Sequence, residues 1–312
     1  MAQNSIEKVL ILGAGGQIGT ELRGALQARY GWDNVVSTDL KELPESAGRS
    51  QVLNAMDGKA LDELVHREGI TQIYHLVATL SATAEKAPLP SWDLNMQTYF
   101  NAVEVARNRG IRKIFWPSSI AVFGPTTPRN PTPQETILEP TTVYGISKVA
   151  GELWNQYAYK AWGLDIRSLR YPGLISHTAP PGGGTTDYAV DIFHQAKAHN
   201  TYTSFLGAET RLPMMFMEDA IRATLELMDA PADALQHRTA YNVGALDFTP
   251  AELADAIRAH LPGFTISYAP DFRQAIADSW PQRIDDSAAR RDWGWQPRFD
   301  LSEMVRVMLQ NV

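Results

Sequence analysis

The chain has 312 residues, 44% hydrophobic and 20% charged, an ordinary make-up for a soluble globular protein with one large core or two modest ones. Its 28 basic and 35 acidic residues leave a net charge of -7, which disfavours a nucleic-acid or anionic-membrane surface. Cysteine is absent, so disulfides, thiolate catalysis and cysteine-bound zinc are excluded.

Met1 to Ser5 is a short polar lead without the basic region and apolar core of a secretory leader. No apolar run approaches the ~20 residues of a membrane span. A cytoplasmic protein is expected, with no membrane or nucleic-acid partner. Lys8 to Leu12 reads as a short buried strand, and Gly13, Gly16, Gln17, Ile18 and Gly19 follow at once. Ile18, Leu22, Ala25, Leu26 and Tyr30 then recur at helical spacing over Gln17 to Tyr30. In a strand–turn–helix unit, such glycines let backbone N–H groups and the helix N-terminus approach a pyrophosphate. A second strand, from Asn34 to Ser37, leads to Asp39. A carboxylate there accepts hydrogen bonds from an adenosine ribose and repels a 2′-phosphate. This favours NAD over NADP, although Lys41 and Arg49 lie nearby in sequence.

Strands are predicted at Gln51–Leu53, Ile73–Ala78 and Lys113–Trp116, with helices at Lys59–Arg67 and Trp92–Arg109. Strand–helix alternation of this kind predicts a parallel sheet covered on both faces, with ligands beyond the carboxyl ends of its strands. The residues placed there are Gly13, Asp39, Asp57, Ala78 to Ser81, Ser118 and Ser119. Asp57 suits either an adenine amino group or a helix cap, and the two roles are compatible. His75, inside a strand, reads as a packed core residue. The other histidines show no metal-ligand spacing, so no metal is expected.

Pro125 to Pro140 is a proline- and threonine-rich loop, and Thr141-Thr142 signals a helix start. Tyr144 and Lys148 then stand one helical turn apart on a single face. A free tyrosine is a poor base near neutrality, and a neighbouring ammonium lowers its pKa. Ser119 ends a strand where its hydroxyl can meet a substrate oxygen. A strand at Arg167–Tyr171 ends at Pro172-Gly173, and the alternation breaks from position 176. The loop from Pro180 to Asp187 leads into a helix at Tyr188–Ala198. Thr186 or Asp187 would cap it, and the loop amides suit either a substrate carboxylate or an ordinary glycine turn. Further elements are expected at Arg211–Phe216, a helix to Met228, Tyr241–Val243, a helix from Thr249-Pro250, and Ile266–Tyr268. Trp280, beside Pro281, is placed to close a pocket. The helix 144–161 is apolar on more than one side, which predicts a partner helix.

Taken together, the glycine unit, Asp39, His75-Leu76-Val77-Ala78, Asn95, Ser118 to Gly124, Tyr144 to Lys148, Arg170 to Gly173 and Ala289 to Pro297 resemble the extended short-chain dehydrogenases/reductases along the whole chain. The resemblance implies an α/β fold, a doubly wound parallel (Rossmann) sheet with a smaller C-terminal substrate lobe. The expected division gives 1–175 and 211–243 to the NAD-binding part and 176–210 and 244–312 to the lobe. It implies a catalytic set of Ser119, Tyr144 and Lys148. NAD would be bound by Gly13, Gly16, Gln17, Ile18, Gly19, Asp39, Asp57, Leu76, Ala78, Asn95, Tyr144, Lys148 and Pro172.

Gly182 to Tyr188, Thr210 to Met215 and Asp278 to Pro281 narrow the likeness to the short-chain-type L-threonine 3-dehydrogenases. That implies NAD-dependent oxidation of the 3-hydroxyl of L-threonine to 2-amino-3-ketobutyrate. Ser81, Ser119, Tyr144, Thr185, Thr186, Asp187 and Trp280 would hold the substrate. A homodimer through the 92–109 and 144–161 helices is expected. The alternatives are a nucleotide-sugar epimerase or dehydratase, and a non-catalytic NAD-sensing protein.

Overall fold

The computed structural model describes residues 7–179 and 182–312; the polar lead Met1–Ser5 and the Pro180-Pro181 start of the glycine loop lie outside them. Six parallel strands form the main sheet, in the order Ser50–Val52, Val35–Asp39, Val9–Leu12, Gln72–His75, Lys113–Phe115 and Asp165–Arg167. Val9–Leu12 is a central strand, paired on both sides and wholly buried, as its unbroken apolar run requires. Val9 and Ile11 face the helices Gln17–Tyr30 and Met217–Asp229. Leu10 and Leu12 face Gly58–Glu68, Pro88–Arg109 and Val143–Trp162. The chain runs outward from this strand in one direction, then crosses back and runs outward in the other. The crevice at that switch point is where such sheets bind ligands.

Three departures from the sequence reading bear on the site. The strand expected to reach Ala78 ends at His75, and residues 76–80 leave the sheet. The long helix begins at Pro88, not Trp92; proline suits a first turn, where its missing N–H costs nothing. The segment read as Arg167–Tyr171 is two strands split at Ser168. Asp165–Arg167 closes the main sheet, while Leu169–Tyr171 joins Ser118–Ser119 and Tyr241–Asn242 in a smaller parallel sheet.

A third sheet combines Gly173–Ile175, Leu212–Phe216 and Leu246–Phe248, and Thr201–Ser204 pairs with Thr265–Tyr268 in a fourth. Leu212–Phe216 alternates between two cores. Leu212, Met214 and Phe216 pack with Tyr188, Phe193, Phe248 and Met304, while Met215 joins the dinucleotide-side core. The two cores are thereby joined along one shared strand.

Candidate active site

A cavity of about 250 Å³ opens at the carboxyl edge of the sheet. It is bounded by the glycine turn, by Ser118–Ser119, by Tyr144 and Lys148, by Pro172–Gly173, and by Thr185–Asp187 and Trp280. A second cavity of about 190 Å³ adjoins it, lined by Asp39, Leu40 and Leu53–Met56. Gly13, Gly16, Leu76 and Ala78 belong to both, which makes one groove.

The glycine turn is sterically obligatory. Gly13 has φ +81°, and a Cβ on Gly19 would stand 2.5 Å from the Gly13 carbonyl oxygen. The first helix has no side-chain cap, and Gln17 Nε2 is buried with no partner among the described residues. Unsatisfied donors at a helix N-terminus suit a pyrophosphate. Asp39 Oδ2 accepts from the Gly15 N–H (2.9 Å) and Oδ1 from the Leu40 N–H (2.8 Å), which holds the carboxylate at the groove edge. Arg49 is engaged by Glu68 (2.5 Å) and the Asp33 carbonyl (2.7 Å), away from any phosphate role.

Two residues expected to touch the cofactor stand outside the groove lining. Asp57 caps Gly58–Glu68 by accepting from the Ala60 N–H (3.0 Å), and its neighbours Leu53–Met56 line the groove instead. Asn95, buried, spends its amide on the Thr79 N–H (2.8 Å), the Thr79 carbonyl (3.2 Å) and Ser147 Oγ (3.4 Å). It clamps the 76–80 segment in place.

Tyr144 sits in the first turn of Val143–Trp162, capped where Thr142 Oγ1 accepts from the Gly145 N–H (3.1 Å). Gly145 lets that turn lie against the Ser119 turn, since a Cβ there would meet the Ala121 carbonyl at 2.1 Å. Burial pushes the Tyr144 phenol up to about 12, and its hydrogen bond with Ser119 opposes this. Lys148 Nζ donates to the Pro117 carbonyl (2.6 Å) and lies 4.2 Å from the Trp116 ring centre. Burial pulls Lys148 down to about 7, with Glu152 opposing. In this arrangement desolvation sets the direction of the phenol, and Ser119 is the group that opposes it. His75 is a buried, neutral core residue, drawn down to about 4 by burial.

Across the cavity, Ser81 Oγ and Thr185 Oγ1 are 3.2 Å apart, and Thr83 Oγ1 donates to the Gly183 carbonyl (3.3 Å). Two of the loop amides expected to be bare are engaged. Asp187 Oδ2 accepts from the N–H groups of Gly183 (2.8 Å) and Gly184 (2.7 Å), and makes no side-chain cap to Tyr188–His199. Burial raises the Asp187 carboxyl. Gly173 leaves room for Thr186, whose Cβ would be 2.7 Å from a Cβ on residue 173. Trp280 is buried and held in place. Its carbonyl accepts from Arg129 Nε (2.8 Å), and Ser279 meets Thr141 (3.1 Å). Its indole N–H has no partner among the described residues. Sequence reasoning missed Trp116 beneath Lys148, and also Glu152 and Arg170, since those contacts join positions remote in the chain.

No helix among the described residues is long and apolar enough to cross a membrane. Residues 9–244 match the model of the NAD dependent epimerase/dehydratase family. An uncharacterized epimerase/dehydratase of Staphylococcus saprophyticus is 49% identical over 98% of this chain and 97% of its own. A GalE-like L-threonine dehydrogenase from Cupriavidus necator, in its holo form, is 57% identical with a TM-score of 0.96, covering 97% of this chain and 99% of that one. A monomeric L-threonine 3-dehydrogenase from a metagenome is 46% identical with a TM-score of 0.95, covering 97% and 98%.

Proposed function

Because this chain belongs to the NAD-dependent epimerase/dehydratase family, we propose that it is an L-threonine 3-dehydrogenase, oxidising the 3-hydroxyl to give 2-amino-3-ketobutyrate. The observation that carries the reading is the cavity that joins Ser119, Tyr144 and Lys148 to Ser81, Thr185, Thr186 and Trp280 and is continuous with the glycine-turn groove. Near-complete likeness to solved threonine dehydrogenases supports it.

NAD, when bound, supplies the hydride acceptor. The amides of the Gly13–Gly19 turn and Gln17 Nε2 hold the pyrophosphate, and Asp39 accepts from the adenosine ribose. Ile18, Leu76, Ala78 and Pro172 form apolar walls of the groove, and Lys148 donates to the nicotinamide ribose. In this reading 1–175 and 211–243 serve NAD, and 176–210 and 244–312 serve the substrate. Ser119 orients the 3-hydroxyl and Tyr144 takes its proton. The hydroxyls of Ser81, Thr185 and Thr186 and the Trp280 indole N–H receive the carboxylate. Asp187 Oδ1, the oxygen not engaged by the glycine amides, receives the ammonium.

A cytoplasmic homodimer goes with this reading. The deciding experiment follows NADH absorbance with NAD and L-threonine, with L-allo-threonine and L-serine in parallel. NADH from L-threonine is expected. NAD binding without threonine turnover would remove the substrate assignment and send the search to nucleotide-sugars.

A further inference from the structure

Behind Lys148 lies a buried network that the proposed chemistry does not touch directly. Glu152, one helical turn beyond Lys148, is fully buried. Its carboxylate accepts from Ser118 Oγ (2.6 Å) and from Arg170 Nε (2.9 Å) and Nη2 (2.7 Å). Arg170 also donates to the Gln134 carbonyl (2.9 Å) and Asn242 Oδ1 (3.1 Å). Burying a carboxylate is costly, and replacing an ion pair by apolar residues is often neutral or stabilising, so stability alone does not account for it.

We propose that Glu152 is a positioning residue of the site, which ties the Ser118–Ser119 strand to the Tyr144 helix and keeps the Lys148 side chain in its ammonium form beside Tyr144. The groups around Lys148 single Glu152 out. They are the Trp116 ring and Pro117 carbonyl beneath it, Tyr144 and Glu152 on its own helix, and neutral His75 on the neighbouring strand. Among these, Glu152 is the anion; the Arg170 guanidinium, paired to both its oxygens from the neighbouring strand, is the cation behind it. When the Tyr144–Lys148 pair holds one proton, a carboxylate there favours phenolate with ammonium over phenol with amine. Ser118 is thereby sorted from Ser119: its hydroxyl is given to Glu152, and Ser119 is left for the cavity.

The proposal rests on Lys148 belonging to the site, but its test needs no turnover. Lysine 13Cε NMR, with Lys148 assigned by its loss in Lys148→Met, reads the titration in the protein alone. In Glu152→Gln we expect Lys148 to titrate roughly one pH unit lower than in the parent, with the acid limb of kcat/KM moving the same way. Should Glu152→Gln fail to fold, Glu152→Gln with Arg170→Gln leaves no unpaired guanidinium and is expected to show a downward movement smaller than that of the single variant. An unmoved Lys148 titration in a folded variant would overturn the proposal. Absence of threonine turnover with the Lys148 movement intact would instead count against the substrate reading alone.

Discussion

Ser81 and Thr185, 104 residues apart in the chain, bring their hydroxyls to 3.2 Å in the lining of one cavity. Ser81 follows the strand Gln72–His75, and Thr185 belongs to the glycine loop. If both face the substrate carboxylate, Ser81→Ala leaves Thr185 without its neighbour and removes one donor from the ligand. A hydrogen bond to a charged group is worth about 1.5–3 kcal/mol. The kcat/KM for L-threonine should therefore fall roughly 10- to 100-fold. NAD affinity, measured by quenching of protein fluorescence, should change little. Equal losses for both ligands would place Ser81 in the cofactor groove instead.

The titration of Tyr144 with Lys148 sets the pH profile. Burial pushes the phenol up to about 12 and the ammonium down to about 7, so the pair holds two protons below about 7 and one between the two values. A pair that must accept a proton works in its one-proton form. The value of kcat/KM should thus rise about tenfold per pH unit on the acid side and flatten above neutrality. Stopped steady-state assays from pH 5.5 to 10 would check this, and a profile falling with pH would contradict it. Tyr144→Phe should keep NAD binding and lose roughly 100- to 10,000-fold in kcat.

Asp39 should decide between NAD and NADP. Its carboxylate is fixed by the Gly15 and Leu40 amides, and Arg49 is occupied by Glu68. A 2′-phosphate would meet a fixed negative charge and no free guanidinium from that arginine. Asp39→Ala should weaken NAD use about 10-fold or more and narrow the gap to NADP. The measurement is kcat/KM with each cofactor at saturating threonine. An unchanged ratio would move cofactor selection elsewhere.

These expectations separate what short-range sequence carries from what it cannot. The Gly13–Gly19 turn and the Tyr144–Lys148 pair are local: a strand followed by glycines, and two residues one helical turn apart, fix their own geometry. Asp57 takes the helix-cap role that the sequence also offered, and Asn95 holds Thr79, a contact between positions too far apart for a local pattern to record. Asp187 turned back on its own loop because two glycine amides lay within reach. Glu152 and Arg170 were invisible as a pair, since their contact depends on strands and a helix meeting in three dimensions. The split at Ser168 likewise follows from the change of sheet, which no local pattern records.

Gly173 is a tight point in the cavity wall. A Cβ there would lie 2.3 Å from Met214 Sδ and 2.7 Å from Thr186 Cβ. Met214 is a flexible side chain and can yield, whereas Thr186 is branched at the atom that clashes. Gly173→Ala should displace Thr186, raise KM for L-threonine several-fold, and cost about 1–3 kcal/mol of stability. Thermal unfolding beside threonine kinetics would test it. A stability loss with an unchanged KM would show that Met214, not Thr186, gives way.

The outward face of the Tyr144 helix should bind a second copy. Leu153 is 58% exposed and Tyr157 52%, and Trp154 packs edge-on against Phe100 of the neighbouring helix (5.2 Å) and against Tyr157 (5.2 Å). Arg107 stacks on Trp162 at 4.5 Å, extending the aromatic surface to both helices. A contiguous apolar and aromatic patch of this kind marks a contact site, and two antiparallel pairs would bury it as a four-helix interface. Light scattering should give about twice the 34.6 kDa of the chain. Leu153→Glu with Tyr157→Glu should give the single-chain mass and keep NAD binding, because neither residue lines the groove. The relative described as monomeric defines the opposing outcome. A parent protein of single-chain mass would show that this face stays in water here too, and a variant that remains double would place the interface elsewhere.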